Sequence, residues 1–234
     1  MKGKLYLIPN TLGDSSLNHI LPTFNLEIIN TINHYIVEDV RTARRFLSKC
    51  GIKTRIDDLH FYLLNKHTPV EEISSFLAPI KEGQDIGVIS EAGCPAVADP
   101  GAEVVRLAHE ADIDLVPMIG PSSILLALMA SGFNGQRFAF NGYLPVKEQE
   151  RTPQLKKDEQ RSKNEGQTQI YIETPYRNMQ LFAAMLECLN QNTKLCVATD
   201  LSLKSEQIKT RSIKEWKNIK IDINKRPTIF LFQA

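Results

Sequence analysis

The residues best suited to holding a small molecule run Ile86-Gly-Val-Ile-Ser-Glu-Ala-Gly-Cys-Pro-Ala-Val-Ala-Asp-Pro-Gly101, a short apolar run that breaks into a Gly/Pro-punctuated loop and then opens a helix. Gly93 and Gly101 let backbone approach a ligand with no Cβ in the way, and Pro95 and Pro100 stiffen the loop between them. Asp99 stands where it can cap the following helix with Pro100 at the first helical position, and Val104, Leu107, Ala108 and Ala111 then recur at helical spacing. Strand, shaped loop and helix in that order match the place where open α/β sheets bind ligands, outside the carboxyl end of a strand. Every βα connection also needs a turn and a cap, so spacing alone leaves a purely structural loop equally open. Neither G-x-G-x-x-G nor G-x-x-x-x-G-K-[ST] occurs, which disfavours a nucleotide cradled by its phosphates. Arg41, Arg44 and Arg45 form the densest local basic cluster, on the helix face opposite an apolar stripe. Such a cluster suits phosphate contact or simply a solvated surface.

The elements that must position these residues alternate. The pattern predicts a strand at Lys4–Ile8, a segment around Phe24–Ile32, and a strand at Tyr35–Val37. A helix follows, with Ala43, Phe46, Leu47 and Cys50 inward and Gly51 as its stop. A further helix is expected over Val70–Ile80, with Val70, Ile73, Leu77 and Ile80 inward. The strand at Ile86–Ser90, the helix at Ala102–Ala111 and a strand at Leu115–Met118 complete an α/β half, residues 1–118. Gly120-Pro-Ser-Ser123 then reads as a turn and N-cap before Ile124–Ala130. That helix is so apolar that burial within the chain is expected, a subunit interface being its other use. Strands at Phe138–Asn141, Ile170–Glu173, Leu195–Thr199 and Thr228–Phe232, with one helix carrying Met179, Phe182, Ala183 and Leu186, predict a second α/β domain with a mixed sheet over 119–234. Between them Lys147–Gln169 is charged and nearly empty of large apolar residues. It reads as a solvated helix or loop, or as a flap that contacts substrate.

Composition sets the bounds. A chain of 234 residues, 42% hydrophobic and 24% charged, can bury a sizeable core in one large or two modest domains. A net charge of +1 supplies no global basic field, so any nucleic-acid contact must use a local patch. Cys50, Cys94, Cys188 and Cys196 show neither C-x-x-C spacing nor a secreted framework, which predicts reduced thiols and no metal site. Pro9 ends the first apolar run too early for a signal peptide, and no stretch reaches membrane-spanning length. A soluble, cytoplasmic protein without membrane contact is expected.

Four segments, taken in order, resemble a known family. They are Leu5-Tyr-Leu-Ile-Pro-Asn-Thr-Leu-Gly-Asp14, Val37-Glu-Asp-Val-Arg-Thr-Ala-Arg-Arg45, the 86–101 loop, and Pro117-Met-Ile-Gly-Pro-Ser-Ser123. Fainter echoes continue in Phe140–Pro145, Tyr171–Arg177 and Val197–Leu201. Together they are similar to the class III S-adenosylmethionine-dependent methyltransferases, the tetrapyrrole methylase superfamily, and within it to the branch that 2′-O-methylates ribosomal RNA. The resemblance implies two α/β domains with the cofactor in the cleft between them, no metal, and a homodimer. It assigns Pro9, Ala92, Gly93, Cys94, Val97, Ala98, Asp99, Ser122 and Ser123 to S-adenosylmethionine and its product S-adenosylhomocysteine. On the adenine side it adds Ile172, Glu173, Ala198, Thr199, Pro227 and Thr228. Arg41 matches an arginine of the family's E-D-x-R segment, so Arg41, Arg44 and Arg45 become candidates for contact with RNA or a ribosomal subunit.

A ribose hydroxyl is a poor nucleophile at neutral pH, and a nearby carboxylate would help it as base or orienter. Glu38, Asp39 and Asp200 are the candidates, with Asp14 and Glu91 behind them; Asp39 is equally suited to cap the helix that follows. The chain departs from the family on the acceptor side. Val40 and Ala43 replace threonines, Phe61-Tyr-Leu-Leu-Asn65 replaces a His-rich segment, Glu91 and Cys94 stand where Asp and Thr are usual, and the sequence stops at Ala234. Transfer to RNA therefore stands beside transfer to a tetrapyrrole or other small acceptor, and beside a non-catalytic module that keeps the nucleoside pocket.

Overall fold

A computed structural model describes residues 2–65 and 67–234. The chain divides between Ser122 and Ser123 into two compact units.

The first unit is a five-stranded, all-parallel sheet in the order β3-β2-β4-β1-β5. Its strands are β1 (Leu5–Ile8), β2 (His34–Val37), β3 (His60–Leu63), β4 (Ile86–Ile89) and β5 (Leu115–Pro117). Parallel strands need crossover helices and are therefore covered on both faces, and alternate side chains feed the two layers. Leu5, Ile36 and Val88 point to one side, where they pack with Ile73, Ile80, Val104 and Ala108 of α4 (Val70–Phe76), α5 (Ala78–Lys81) and α6 (Gly101–Glu110). Ile8, Tyr35, Val37 and Ile89 point to the other. There they meet Ile29, Phe46 and Leu47 of α2 (Thr23–Ile29) and α3 (Val40–Lys49), beside the single turn α1 (Leu17–Ile20). The buried Tyr35 hydroxyl donates to the Ile29 and Ile32 carbonyls.

Two expectations are corrected here. The helix over Val70–Ile80 is broken into α4 and α5, because Pro79 lacks the N–H and sits in the first turn of α5; Val70 faces solvent. Strand β3 lies within the segment read only as a departure from the family pattern, and it pairs in parallel with β2 from His34↔His60 to Val37↔Leu63.

The second unit is a mixed sheet in the order β6-β7-β10-β8-β9. Strands β6 (Phe138–Tyr143) and β7 (Thr168–Ile172) run parallel. Strands β8 (Lys194–Thr199), β9 (Gln207–Ser212) and β10 (Thr228–Gln233) pair antiparallel. One core gathers Tyr171, Val197, Phe230 and Phe232 of the sheet with Leu155, Leu181, Phe182, Met185 and Trp216 of α8 (Glu148–Glu165), α9 (Asn178–Cys188) and α10 (Ile213–Trp216). Helix α7 (Ser123–Ser131) packs on β8, β9 and β10, and Thr210 donates to the Ser131 carbonyl at 2.7 Å.

The charged 147–169 segment is thus mostly the helix α8, seated on this sheet, and its last two residues begin β7. Arg151, Leu155, Asp158 and Ser162 recur at helical spacing and are buried, Asp158 accepting the Tyr171 hydroxyl at 2.8 Å. Helix α7 corrects the burial expectation: Ala127 and Leu128 are inside, but Leu125 is 50% and Met129 78% exposed. In α9 the inward residues are Leu181, Phe182, Ala184 and Met185, whereas Met179 and Ala183 are exposed. Among the described residues no helix is long and apolar enough to cross a membrane.

Candidate cofactor and acceptor site

Three loops of the first unit converge beyond the carboxyl ends of β1, β4 and β5. Asn10, after β1, forms an antiparallel bridge with Gly93: each N–H meets the other's carbonyl, at 2.9 and 3.2 Å. The buried Asn10 side chain donates to the Ser90 and Glu91 carbonyls at 3.1 and 3.2 Å. The Cys94 thiol donates to the Pro121 carbonyl at 3.3 Å, and its burial raises its pKa. Gly120 lies so close to Pro9 that a Cβ there would stand 2.2 Å from the proline ring.

Within the 90–101 loop, Ala96 and Ala98 adopt φ of 65° and 63°, a left-handed region that residues with a Cβ normally avoid. Asp99 holds this shape. Its Oδ1 accepts from Ala96 and Gly101 N–H at 2.9 and 2.7 Å, while the buried Oδ2 has no protein partner. Helix α6 begins at Gly101 with Pro100 in the capping position, so Asp99 ties the loop together instead of serving as the N-cap residue. Burial raises the Asp99 pKa against the pull of those two N–H groups.

Glu38, at the end of β2, lies next to this loop and accepts from the Glu91 N–H at 3.3 Å. Burial raises its pKa, and the nearby Asp99 and Glu91 charges push the same way. A water-sized cavity of about 10 Å³ is lined by Glu38, Ser90, Asp99 and Leu64. Asp39 is the N-cap of α3: its carboxylate accepts the Thr42 N–H at 2.8 Å, the main reason its pKa is lowered.

On the outer side of the β1 loop, a pocket of about 420 Å³ is bounded by Asn10–Asp14, Leu17, Glu91, Ala92 and the α3 residues Thr42, Arg45, Phe46 and Lys49. Thr42 donates to Glu91 at 2.6 Å, and Lys49 bonds Asp14 at 2.5 Å. The structure separates the three arginines. Arg45 lines the pocket, while Arg44 is held 3.6 Å from Asp57 and over the Phe61 ring; Arg41 is exposed beside Asp39.

In the second unit, Ile172 at the end of β7, Ala198 and Thr199 at the end of β8, and Pro227 and Thr228 at the start of β10 come together at one end of the sheet. Ile229 is in register with both Ile172 and Ala198. Thr199 and Thr228 share a hydroxyl contact of 3.2 Å. The Glu173 carboxylate is taken up by Arg177 at 2.6 Å, and Asp200 by Arg226 and Ser205, both at 2.8 Å.

No family model matches this chain. It is 30% identical over 228 residues to the ribosomal RNA small subunit methyltransferase I of Escherichia coli O157:H7, covering 96% of this chain and 75% of that protein. The protein of that name from Synechocystis sp. is 32% identical over 205 residues, 88% of this chain and 69% of the relative. This chain belongs to the ribosomal RNA small subunit methyltransferase I family. Solved structures share the fold at low identity. The methyltransferase CobJ has a TM-score of 0.65 at 13% identity, over 99% of this chain and 94% of that one. The cobalt precorrin-4 methyltransferase CbiF has 0.60 at 17%, over 98% and 94%. The expected tetrapyrrole methylase-like α/β fold is therefore the observed one, and the chain is a methyltransferase.

Two positions where this methyltransferase departs from its family's pattern carry bonds of the loop itself. Glu91 receives Thr42, and Cys94 reaches the Pro121 carbonyl. Sequence reasoning passed over Asn10, Thr42 and Lys49. Asn10 was within reach of it, since an amide following Pro9 in a loop that must touch a second loop is a natural backbone clamp.

Proposed function

We propose that this chain transfers a methyl group from S-adenosylmethionine to a ribose hydroxyl of ribosomal RNA. Similarity over 88–96% of this chain to the ribosomal RNA small subunit methyltransferase I proteins carries this reading, and the first unit's geometry agrees with it. The loop fits a nucleoside that carries an amino acid tail and no phosphate: it offers backbone groups and small side chains, with no phosphate-binding turn. At Gly93 an added Cβ would press on Leu12 and the Pro121 carbonyl at 3.3 Å, so the turn accepts backbone only. Pro9, Ala92, Gly93, Cys94, Val97, Ala98, Asp99 and Ser122 would hold the cofactor in this unit.

When bound, S-adenosylmethionine supplies a methyl group already activated by its cationic sulfur. The protein's task is then alignment and the handling of one proton. Glu38 is the carboxylate we assign to that proton, since it stands beside the loop with a raised pKa, whereas Asp39 caps α3 and Asp200 is committed to Arg226. Arg45 would meet the phosphate next to the acceptor ribose, in a pocket whose apolar wall of Leu12, Leu17 and Phe46 suits a base. The exposed Leu125 and Met129 of α7 support pairing with a second copy of the chain.

The test is incorporation of labelled methyl from S-adenosylmethionine into small-subunit ribosomal RNA, compared with a small-molecule extract. Alkali-resistant labelled dinucleotides from the RNA are expected, because a 2′-O-methyl group blocks hydrolysis at its own linkage. Label confined to small molecules would move the acceptor to a tetrapyrrole-like compound. Cofactor binding without incorporation into either pool would make the chain a binding module.

A further inference from the structure

We infer that the second unit carries a separate docking groove for single-stranded RNA, formed by β9 and the segment that follows α10. This rests on the reading that the acceptor is RNA, and it adds where the strand is held away from the reacting ribose.

Residues 204–226 hold eight lysines and arginines against three carboxylates, an excess of five in a chain whose net charge is +1. The basic charge missing from the overall composition is concentrated in one segment. There it surrounds a cavity of about 300 Å³ whose apolar wall is the half-buried Ile219 and Ile221, backed by the buried Val197 and Trp216, with Asp222 its one carboxylate besides the Asp200 held by Arg226. Lys209 on β9 and Lys220 after α10 rise at its rim, both exposed. Among the described residues, no carboxylate oxygen lies within 4.0 Å of either ammonium. Arg226 closes one wall and is immobilised: its Nε donates to Asp200 at 2.8 Å and its Nη2 to the Ser205 carbonyl at 2.8 Å.

Strand β9 is a sheet edge, and lysines on edge strands also discourage pairing with other chains. Edge protection explains Lys209 but not Lys220, which comes from a different element and converges on the same cavity. A groove with a small apolar wall under a cationic rim suits single-stranded RNA, the phosphates tracking the lysines and a base edge meeting Ile219 and Ile221. None of these residues belongs to the cofactor loop or to the pocket lined by Arg45.

The test is fluorescence anisotropy of a labelled single-stranded RNA against the full chain and the double variant Lys209→Glu/Lys220→Glu, across a potassium chloride series. Losing two phosphate contacts should weaken binding on the order of tenfold near physiological salt and reduce the log–log salt slope by roughly 1.4. Titration with S-adenosylhomocysteine and the melting temperature should stay as in the parent protein, since both lysines are exposed. Lys209→Arg/Lys220→Arg should retain affinity. If the parent binds and methylates RNA while the Glu variant keeps its affinity and slope, the groove is refuted and the acceptor reading stands. If the parent neither binds nor methylates RNA, both fall.

Discussion

Replacing Gly93 by alanine should weaken cofactor binding as well as stability, and Gly51 provides a matched control. Both glycines have left-handed backbone, with φ of 73° and 71°. At Gly51, the stop of α3, an added Cβ meets nothing within 4 Å. Gly51→Ala therefore isolates the backbone term, about 1 kcal/mol after the offsetting loss of unfolded-state freedom. At Gly93 the same Cβ would stand 3.3 Å from both Leu12 Cδ2 and the Pro121 carbonyl oxygen. The leucine can turn away, but the carbonyl moves only with the 120–121 backbone, which is pinned by the close approach of Gly120 to Pro9. That adds roughly another 1 kcal/mol of strain. Urea titration should therefore rank Gly93→Ala about 2 kcal/mol and Gly51→Ala about 1 kcal/mol below the parent, or melting shifts of roughly 2–4 °C per kcal/mol for a chain of this size. Calorimetric titration with S-adenosylhomocysteine should separate them further. The Gly51 variant keeps parental affinity, while the Gly93 variant loses at least about fivefold, the equivalent of 1 kcal/mol. Equal affinity in all three proteins would refute the placement of the cofactor against this loop.

Other perturbations test neighbouring parts of the argument. The folded-state pKa of Glu38 is raised by burial, so its contribution to stability is present in acid and is lost as pH rises through that pKa. Glu38→Gln should therefore melt above the parent at pH 7 and level with it near pH 4, while kcat falls about 100-fold or more. A variant that melts lower at pH 7, or turns over normally, removes Glu38 from its assigned role. Arg45→Ala should raise KM for RNA, whereas Arg44→Ala should leave KM alone because that side chain is occupied by Asp57 and Phe61; equal effects in kinetic assays would argue against the pocket. Tyr171→Phe removes a buried 2.8 Å bond to Asp158 and should lower the urea-derived stability by about 1–3 kcal/mol. A change below about 0.5 kcal/mol would mean that α8 is not held to its sheet by that bond.

How much of this was legible from residues alone depended on how each element earns its place. The first unit was readable because parallel strands bury both faces and appear as continuous apolar runs, as in Ile86–Ile89, where all four residues are buried. Strand β9 was not, since Gln207-Ile-Lys-Thr-Arg-Ser212 is an exposed edge with little apolar content. Helix α8 buries Arg151, Asp158 and Ser162, polar residues whose inward face makes sense only once Tyr171 is in place. In α9 apolar residues occur on nearly every side, so periodicity could not fix the rotation: of Met179, Phe182, Ala183 and Leu186, Phe182 alone is buried. The 90–101 segment was legible as a loop through its glycines and prolines. The pocket beside it was not, because Asn10, Thr42 and Glu91 come together only when the ends of β1, β4 and the start of α3 are adjacent.

The two alanines in the left-handed region show what kind of loop this is. Glycine at 96 and 98 would relieve the backbone, yet the chain carries residues that cost of order 1–3 kcal/mol each in that conformation. Strain of that size persists only where surrounding bonds over-determine the shape, and here one carboxylate oxygen of Asp99 holds both Ala96 and Gly101 N–H groups. A loop of glycines would sample many shapes and lose that freedom on binding; one locked by Asp99 presents its backbone groups already aimed. The strained alanines and the two N–H bonds to Asp99 thus belong to one device, in which the first unit gives up stability in its own fold to hold the shape of this turn.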